Sequence, residues 1–261
     1  MLDSHPSISC GPETLFLEQM VKAEQNNWKR LSAFGISQAM WRARIRELFV
    51  WVHSQHAERQ GKSRWADKSP GYTLILDYID SLFPDCQVVQ VIRDPRDVLD
   101  SWSRRWGPRR AHQAVRSWPE HVRAGRAFGR RHPGDRYTEI RYERLVKDPE
   151  TTMRGLLDWL DEPWDQNVLH FGDLDHGYGS GSLGDEQSIA RWRGELPGES
   201  MIQTPRQDPG TEPNHRDDRH RSSEIFTSSI GVGKGPINTV YLTELRLKSG
   251  RLMRDLGYSR W

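Results

Sequence analysis

The segment from Val88 to Ile92 constrains the fold of this chain more than any other. It reads VVQVI, a short run made almost entirely of β-branched apolar residues. Such a run is typical of a strand that is buried on both faces of a parallel sheet. The chain then turns at Arg93-Asp94-Pro95, and a helix is predicted from there through about Trp106. The sequence therefore predicts a strand–turn–helix unit with Arg93 at the carboxyl end of its strand.

Strand and helix patterns alternate on both sides of this unit. Apolar residues at three- and four-residue steps predict a helix from Ser37 to about Arg59, and Ser69-Pro70 reads as an N-cap with Pro at the first helical position. A second strand is predicted at 137–142, and Asp148-Pro149 begins another helix. Alternating strands and helices imply right-handed crossovers. We therefore predict an α/β fold, a three-layer parallel sheet with helices on both faces, in a single domain over residues 1–261.

Two stretches follow in the C-terminal part of the chain. Residues 197–223 contain four Pro and almost no large apolar side chain, which predicts a flexible loop. Residues 239–256 carry apolar positions suited to packing and end at Gly257, which predicts a last helix.

Charge and cysteine content exclude several classes of protein. Charged residues make up 28% of the chain, yet the formal net charge is only +2, which argues against a general nucleic-acid-binding surface. Cys10 and Cys86 are too few for a disulfide framework or a Cys/His zinc motif, so a reducing, cytoplasmic compartment is expected. The sequence shows no signal peptide and no apolar run near the ~18 residues of a membrane span.

The residues around the Val88–Ile92 strand indicate a phosphate site. Arg93 is delivered to the carboxyl edge of the sheet, where open α/β sheets bind ligands, and the next helix points its N-terminus at the same place. Ser101 and Arg105 lie four residues apart on one face of that helix. Two guanidinium forks and a hydroxyl suit one phosphate dianion. The alternative is an Arg/Asp network on the surface of an ordinary strand–helix turn.

Five segments in order resemble the sulfotransferase family, most closely its tyrosylprotein sulfotransferase-like branch. They are LDSHPSISCGPET, ADKSP, VIRDPRDVLDSWSRR, RYERLVKDPETTMRGLL and SIARWRGELP. The resemblance implies the sulfotransferase fold, which is similar to that of P-loop NTPases. It also implies transfer of a sulfuryl group to a hydroxyl acceptor of unknown type, with PAPS (3′-phosphoadenosine 5′-phosphosulfate) as the co-substrate.

The resemblance also assigns roles to single residues. Glu13 in CGPET matches the general base, which removes the acceptor proton; its spacing alone fits a capping Glu near a helix start. Lys68 in ADKSP matches a cation that neutralises charge on the leaving phosphate; an isolated surface Lys is the alternative. Arg93, Ser101 and Arg105 match the 3′-phosphate motif. Tyr142 is implied to contact the nucleotide, or it is a core or edge aromatic, and Arg191 is implied to contact phosphate.

One family motif has no counterpart in this sequence. Family members usually open with a strand and a PRSGTT-like loop that cradles the 5′-phosphosulfate with backbone amides, and here we expect that first strand and loop to be missing. A misplaced start at an internal Met explains this better than a degenerate protein, because Glu13, Lys68, Arg93 and Ser101 remain. The second functional interpretation is a non-catalytic nucleotide-binding or scaffolding derivative. A P-loop kinase is disfavoured, since the chain has no GxxxxGK[ST].

Overall fold

The computed structural model describes residues 1–171, 230–231 and 239–258. The strands within these residues are β1 (Ile8–Cys10), β2 (Arg64–Ala66), β3 (Val88–Ile92) and β4 (Tyr137–Arg141). The helices are α1 (Phe16–Ser32), α2 (Gln38–Arg59), α3 (Leu76–Leu82), α4 (Pro95–Trp106), α5 (Pro108–Arg131), α6 (Tyr142–Lys147), α7 (Pro149–Trp159) and α8 (Thr239–Asp255). Short 3₁₀ turns occupy Leu2–Ser4, Pro70–Ile75 and Gln166–Leu169.

The described chain divides into two compact units, and we describe each by itself. The first contains residues 1–14, 53–68 and 165–171. The second contains residues 15–52, 69–164 and the described residues from 230 onwards. The single domain over residues 1–261 stays a prediction. None of the helices in the described part of the chain is long and apolar enough to cross a membrane.

The first unit is built on a parallel pair of short strands. Ile8 of β1 lies opposite Arg64 of β2, and Cys10 lies opposite Ala66. The chain before β1 is fixed by Asp3, whose carboxylate accepts the Cys10 backbone N–H at 2.7 Å. Because the strands are parallel, the segments that follow Cys10 and Ala66 leave from the same edge.

The second unit contains the parallel pair that the sequence predicts. The register runs from Val88 opposite Tyr137 to Ile92 opposite Arg141, so the parallel pairing of the two strands is confirmed. The second strand ends one residue earlier than predicted, because Tyr142 begins α6. The core of this unit is formed where α5 packs against α4 and α8; its buried members include Leu99, Ala114, Val115, Val122, Leu245 and Met253.

Helix boundaries agree with the sequence except at Ser69. The helix predicted from Ser37 to Arg59 is α2, and Asp148 caps α7 by accepting the Thr151 N–H. Ser69, in contrast, makes no capping hydrogen bond, and a 3₁₀ turn over Pro70–Ile75 precedes α3. Within this turn, the Tyr72 hydroxyl accepts the Leu17 backbone N–H of α1 at 3.0 Å.

Candidate functional site

Glu13 and Lys68 meet in the first unit because of the β1–β2 register. Cys10 and Ala66 are the last paired residues of their strands, and Glu13 and Lys68 follow them by three and two positions. The Lys68 ammonium donates to Glu13 Oε1 and forms an ion pair with it. The Lys68 side chain is 66% exposed and that of Glu13 24%, so a solvent-accessible cation and a carboxylate stand together at the carboxyl edge of this pair.

A buried group beside Lys68 supports this arrangement. The ring of His53 stacks on Trp65 with centroids 4.9 Å apart, and His53 Nε2 lies 3.4 Å from Asp67 Oδ2. The pKa of His53 is lowered to about 4, mainly by burial and to a smaller extent by the nearby His56. At neutral pH His53 is therefore an uncharged ring that packs beneath Asp67, the residue directly before Lys68.

The thiol of Cys10 is excluded as a nucleophile at neutral pH. Burial raises its pKa to about 11, and the carboxylates of Asp3 and Asp67 act in the same direction. The thiolate is the reactive form of a cysteine. Glu13 and Lys68 remain the predicted catalytic residues at this edge of the first unit.

Arg93 and Tyr142 meet in the second unit for the same geometric reason. Ile92 and Arg141 are the last paired residues of β3 and β4, so Arg93 and Tyr142 leave the two strands side by side. The Arg93 guanidinium carbon lies 4.6 Å from the centroid of the Tyr142 ring, within the range of a cation–π contact. The contact places a cation beside an aromatic ring at the carboxyl edge of this strand pair.

The peptide group between Arg93 and Asp94 is held on both sides. The indole N–H of Trp118 donates to the Arg93 carbonyl at 3.0 Å, and the Asp94 N–H donates to Glu143 Oε1 at 2.6 Å. The Tyr258 hydroxyl donates to Glu143 Oε2 at 3.0 Å. Sequence reasoning missed these three partners. Glu143 adjoins Tyr142 in the RYERL segment, but Trp118 and Tyr258 come from distant parts of the chain and leave no local signal.

The remaining residues of the predicted phosphate site lie on or beyond α4. Ser101 is half-buried two turns into α4. The backbone of Arg105 belongs to α4, but its side chain and the whole of Arg191 lie outside the described residues. The N-terminus of α4 differs from the expected anion site, because the Asp94 carboxylate already accepts the Arg96 N–H at 2.9 Å. The first backbone N–H groups of α4 are thus already engaged, since the Asp94 carbonyl also accepts those of Asp97 and Val98.

The predicted site residues therefore form two groups. Glu13 and Lys68 belong to the first unit, and Arg93, Ser101 and Tyr142 belong to the second. The first group offers a carboxylate and an ammonium, and the second offers a guanidinium beside an aromatic ring and a hydroxyl. Among residues 1–171, 230–231 and 239–258, no cluster of His, Cys, Asp and Glu could hold a metal ion.

Comparison with known proteins relates the sequence of this chain to a protein family. The profile of the sulfotransferase family matches residues 1–166. The chain is 28% identical over 182 residues to a protein-tyrosine sulfotransferase of Drosophila melanogaster, covering 65% of this chain and 36% of the relative. It is 27% identical over 190 residues to protein-tyrosine sulfotransferase A of Caenorhabditis elegans, covering 67% and 48%. The chain thus spans less than half the length of these two relatives.

Solved structures agree on the fold. The sulfotransferase domain of the Synechococcus PCC 7002 olefin synthase superposes with a TM-score of 0.54 at 22% identity, covering 77% of this chain and 83% of that domain. The sulfotransferase domain from the curacin biosynthetic pathway gives 0.52 at 18% identity, covering 77% and 87%. With the profile match over residues 1–166, these findings establish that the chain belongs to the sulfotransferase family.

Proposed function

We propose that this protein transfers a sulfuryl group from PAPS to a hydroxyl acceptor. Membership of the family implies a sulfonate donor as co-substrate. The observation that carries the choice of PAPS is Arg93, which stands at the carboxyl end of β3 and makes a cation–π contact with Tyr142. A guanidinium held in this way suits a phosphate dianion, and PAPS differs from simpler sulfonated nucleotides by its 3′-phosphate. Ser101 and Arg105 of α4 complete the proposed 3′-phosphate site.

The proposed mechanism gives separate roles to Glu13 and Lys68. Glu13 accepts the proton of the acceptor hydroxyl while the hydroxyl oxygen attacks the sulfur atom. The bond between sulfur and the 5′-phosphate oxygen breaks, and adenosine 3′,5′-bisphosphate (PAP) leaves with the bonding electrons. Lys68 neutralises the charge that develops on the leaving phosphate. The ion pair with Glu13 supports this division, because it places the Lys68 ammonium directly beside the proposed base.

The acceptor we propose is the phenol of a protein tyrosine. This assignment is supported by the names of the relatives, which are protein-tyrosine sulfotransferases of Drosophila melanogaster and Caenorhabditis elegans. A sulfuryl-transfer assay with PAPS, a tyrosine-containing peptide and its phenylalanine counterpart tests it. We expect transfer to the tyrosine peptide and none to its phenylalanine counterpart. Transfer that occurs only to aliphatic hydroxyls, such as those of serine and threonine, would show that tyrosine is not the acceptor.

The 3′-phosphate site is tested by calorimetry with PAP and with adenosine 5′-phosphate, which lacks the 3′-phosphate. Wild-type protein should bind PAP more tightly. A hydrogen bond to a charged group contributes about 1.5–3 kcal/mol, so Arg93→Ala should weaken PAP binding roughly tenfold or more. The matched control is Arg144→Ala, which removes an exposed arginine from α6. Equal PAP affinity in wild type and Arg93→Ala contradicts the assignment.

A further inference from the structure

The orientation of Arg93 is set by contacts that come from three other parts of the second unit. Its carbonyl and the N–H of Asp94 belong to one peptide group, and both of these groups are engaged, by Trp118 of α5 and by Glu143 of α6. A peptide held at donor and acceptor cannot rotate, so the ψ angle of Arg93 is fixed. The direction in which the Arg93 side chain leaves the strand is then fixed as well.

Tyr258 holds Glu143 in turn. Its hydroxyl donates to the Glu143 oxygen that does not receive the Asp94 N–H, and it lies 3.4 Å from the Ile92 carbonyl at the end of β3. The Arg141 guanidinium lies over the Tyr258 ring, 5.3 Å from its centroid. The pKa of Tyr258 is raised mainly by burial and also by the Glu143 carboxylate. The hydroxyl therefore keeps its proton and remains a donor.

We propose that Trp118, Glu143 and Tyr258 are positioning residues that orient Arg93 for the 3′-phosphate of the nucleotide. This proposal rests on the proposed function, and it names the residues that determine discrimination between nucleotides with and without a 3′-phosphate. We call these three residues the peptide clamp. Trp118 and Glu143 hold the peptide between Arg93 and Asp94, and Tyr258 holds Glu143. Their effect on binding therefore passes through Arg93.

The peptide clamp explains why a flexible arginine can be selective. An arginine side chain loses rotamer freedom when it is held in one conformation, and this loss costs free energy. The clamp fixes the backbone of Arg93, and the Tyr142 ring contacts its guanidinium. Much of that ordering is therefore complete before the ligand arrives, which favours affinity.

The test measures PAP and adenosine 5′-phosphate affinities by calorimetry for Tyr258→Phe, Trp118→Phe, Glu143→Gln and Glu143→Ala. We expect Glu143→Ala to weaken PAP binding about tenfold, and Tyr258→Phe and Trp118→Phe to weaken it about three- to fivefold. The effect of Glu143→Gln should lie between these values, because the amide oxygen still accepts the Asp94 N–H. Adenosine 5′-phosphate affinity should change less than about twofold. If the three residues only stabilised the fold, their replacement would not lower the ratio of PAP affinity to adenosine 5′-phosphate affinity.

The neighbouring strand offers a matched control. The Tyr137 hydroxyl donates to Glu139 at 2.9 Å in β4, a tyrosine–glutamate bond like that of Tyr258 with Glu143 but placed away from Arg93. Tyr137→Phe and Glu139→Ala should leave the affinity ratio unchanged. In an Arg93→Ala background, Tyr258→Phe should cause no further loss of PAP affinity, because the residue it positions is gone.

Three results separate the proposals. Loss of discrimination in the clamp variants, with discrimination kept in the controls, supports the inference. Folded clamp variants that keep the wild-type ratio overturn it while leaving the 3′-phosphate site intact. Wild-type protein that binds both nucleotides equally overturns the 3′-phosphate site itself, and the clamp with it. If Glu143→Ala does not fold, Tyr258→Phe and Trp118→Phe decide the question.

Discussion

At the residue scale, the same structural feature positions Glu13 and Arg93. Each follows the end of a strand in a parallel pair, and each meets a residue that follows the partner strand. The pairs differ in chemistry, because Glu13 meets the Lys68 ammonium whereas Arg93 meets the Tyr142 ring. The first pair is suited to moving a proton and stabilising charge, and the second to holding a phosphate.

Replacement of Glu13 should separate catalysis from nucleotide binding. Glu13→Gln removes the proposed base and keeps its shape, so sulfuryl transfer should fall by about 10²–10⁴-fold. PAP affinity should change less than about twofold. Single-turnover assays and calorimetry measure the two quantities, and Glu58→Gln, an exposed position in the same unit, is the control. Unchanged turnover in Glu13→Gln would remove it from the role of base.

The raised pKa of Cys10 makes a prediction that depends on pH. At pH 8 its alkylation should be roughly a hundredfold slower in native than in unfolded protein, since an unperturbed thiol ionises near pH 8.5 and this one near 11. The native rate should rise about tenfold per pH unit up to pH 10. Labelling in a Cys86→Ser background isolates the signal. A rate that levels off near pH 8.5 would show an ordinary thiol.

The sequence correctly placed Arg93 and Tyr142 next to strand ends, but it did not reveal the residues that hold the Arg93–Asp94 peptide. Arg93 and Tyr142 could be named because each adjoins a recognisable strand in the chain. Trp118, Glu143 and Tyr258 could not, because their role depends on where α5, α6 and the chain after α8 pack in space. The N-terminus of α4, which the sequence suggested as an anion site, is capped by the Asp94 carboxylate.

At the element scale, α7 shows how a single carboxylate can begin a helix. The Asp148 side chain accepts the Thr151 N–H at 3.3 Å, and Pro149 follows at a position where no backbone donor is needed. The sequence predicted this boundary correctly. At Ser69 the same N-cap–Pro pattern begins a 3₁₀ turn instead, and the Ser69 side chain makes no capping hydrogen bond.

Removal of the cap should destabilise the protein. Asp148→Ala should lower the free energy of unfolding by about 1 kcal/mol, within a usual range of about 0.5–2 kcal/mol. The control is Asp158→Ala, which removes an exposed carboxylate from the last turn of α7, where negative charge opposes the helix dipole. This change should be neutral or slightly stabilising. Urea denaturation measures both, and equal effects would exclude capping by Asp148.

At the scale of the whole molecule, each unit presents its chemistry at the carboxyl end of a parallel strand pair. The sequence predicted the α/β class and the parallel β3–β4 pair because buried strands and amphipathic helices have distinct periodicities. It did not predict the short β1 and β2 strands, which contain only three residues each. Nor did it show how closely α5 approaches the β3–β4 pair in the second unit.

That approach depends on glycine and gives the last prediction. A Cβ added at Gly129 of α5 would collide with the Tyr137 ring of β4, whereas one added at Gly155 of α7 would meet nothing within 4 Å. Both positions are helical, so Ala favours the helix over Gly by about 0.8–1 kcal/mol at each. Gly155→Ala should therefore stabilise the protein by about that amount. Gly129→Ala should destabilise it by about 1–3 kcal/mol net, because a packed ring cannot move aside without cost. Urea denaturation of both variants gives the comparison, and stabilisation by Gly129→Ala would mean that α5 does not depend on a glycine to reach the sheet.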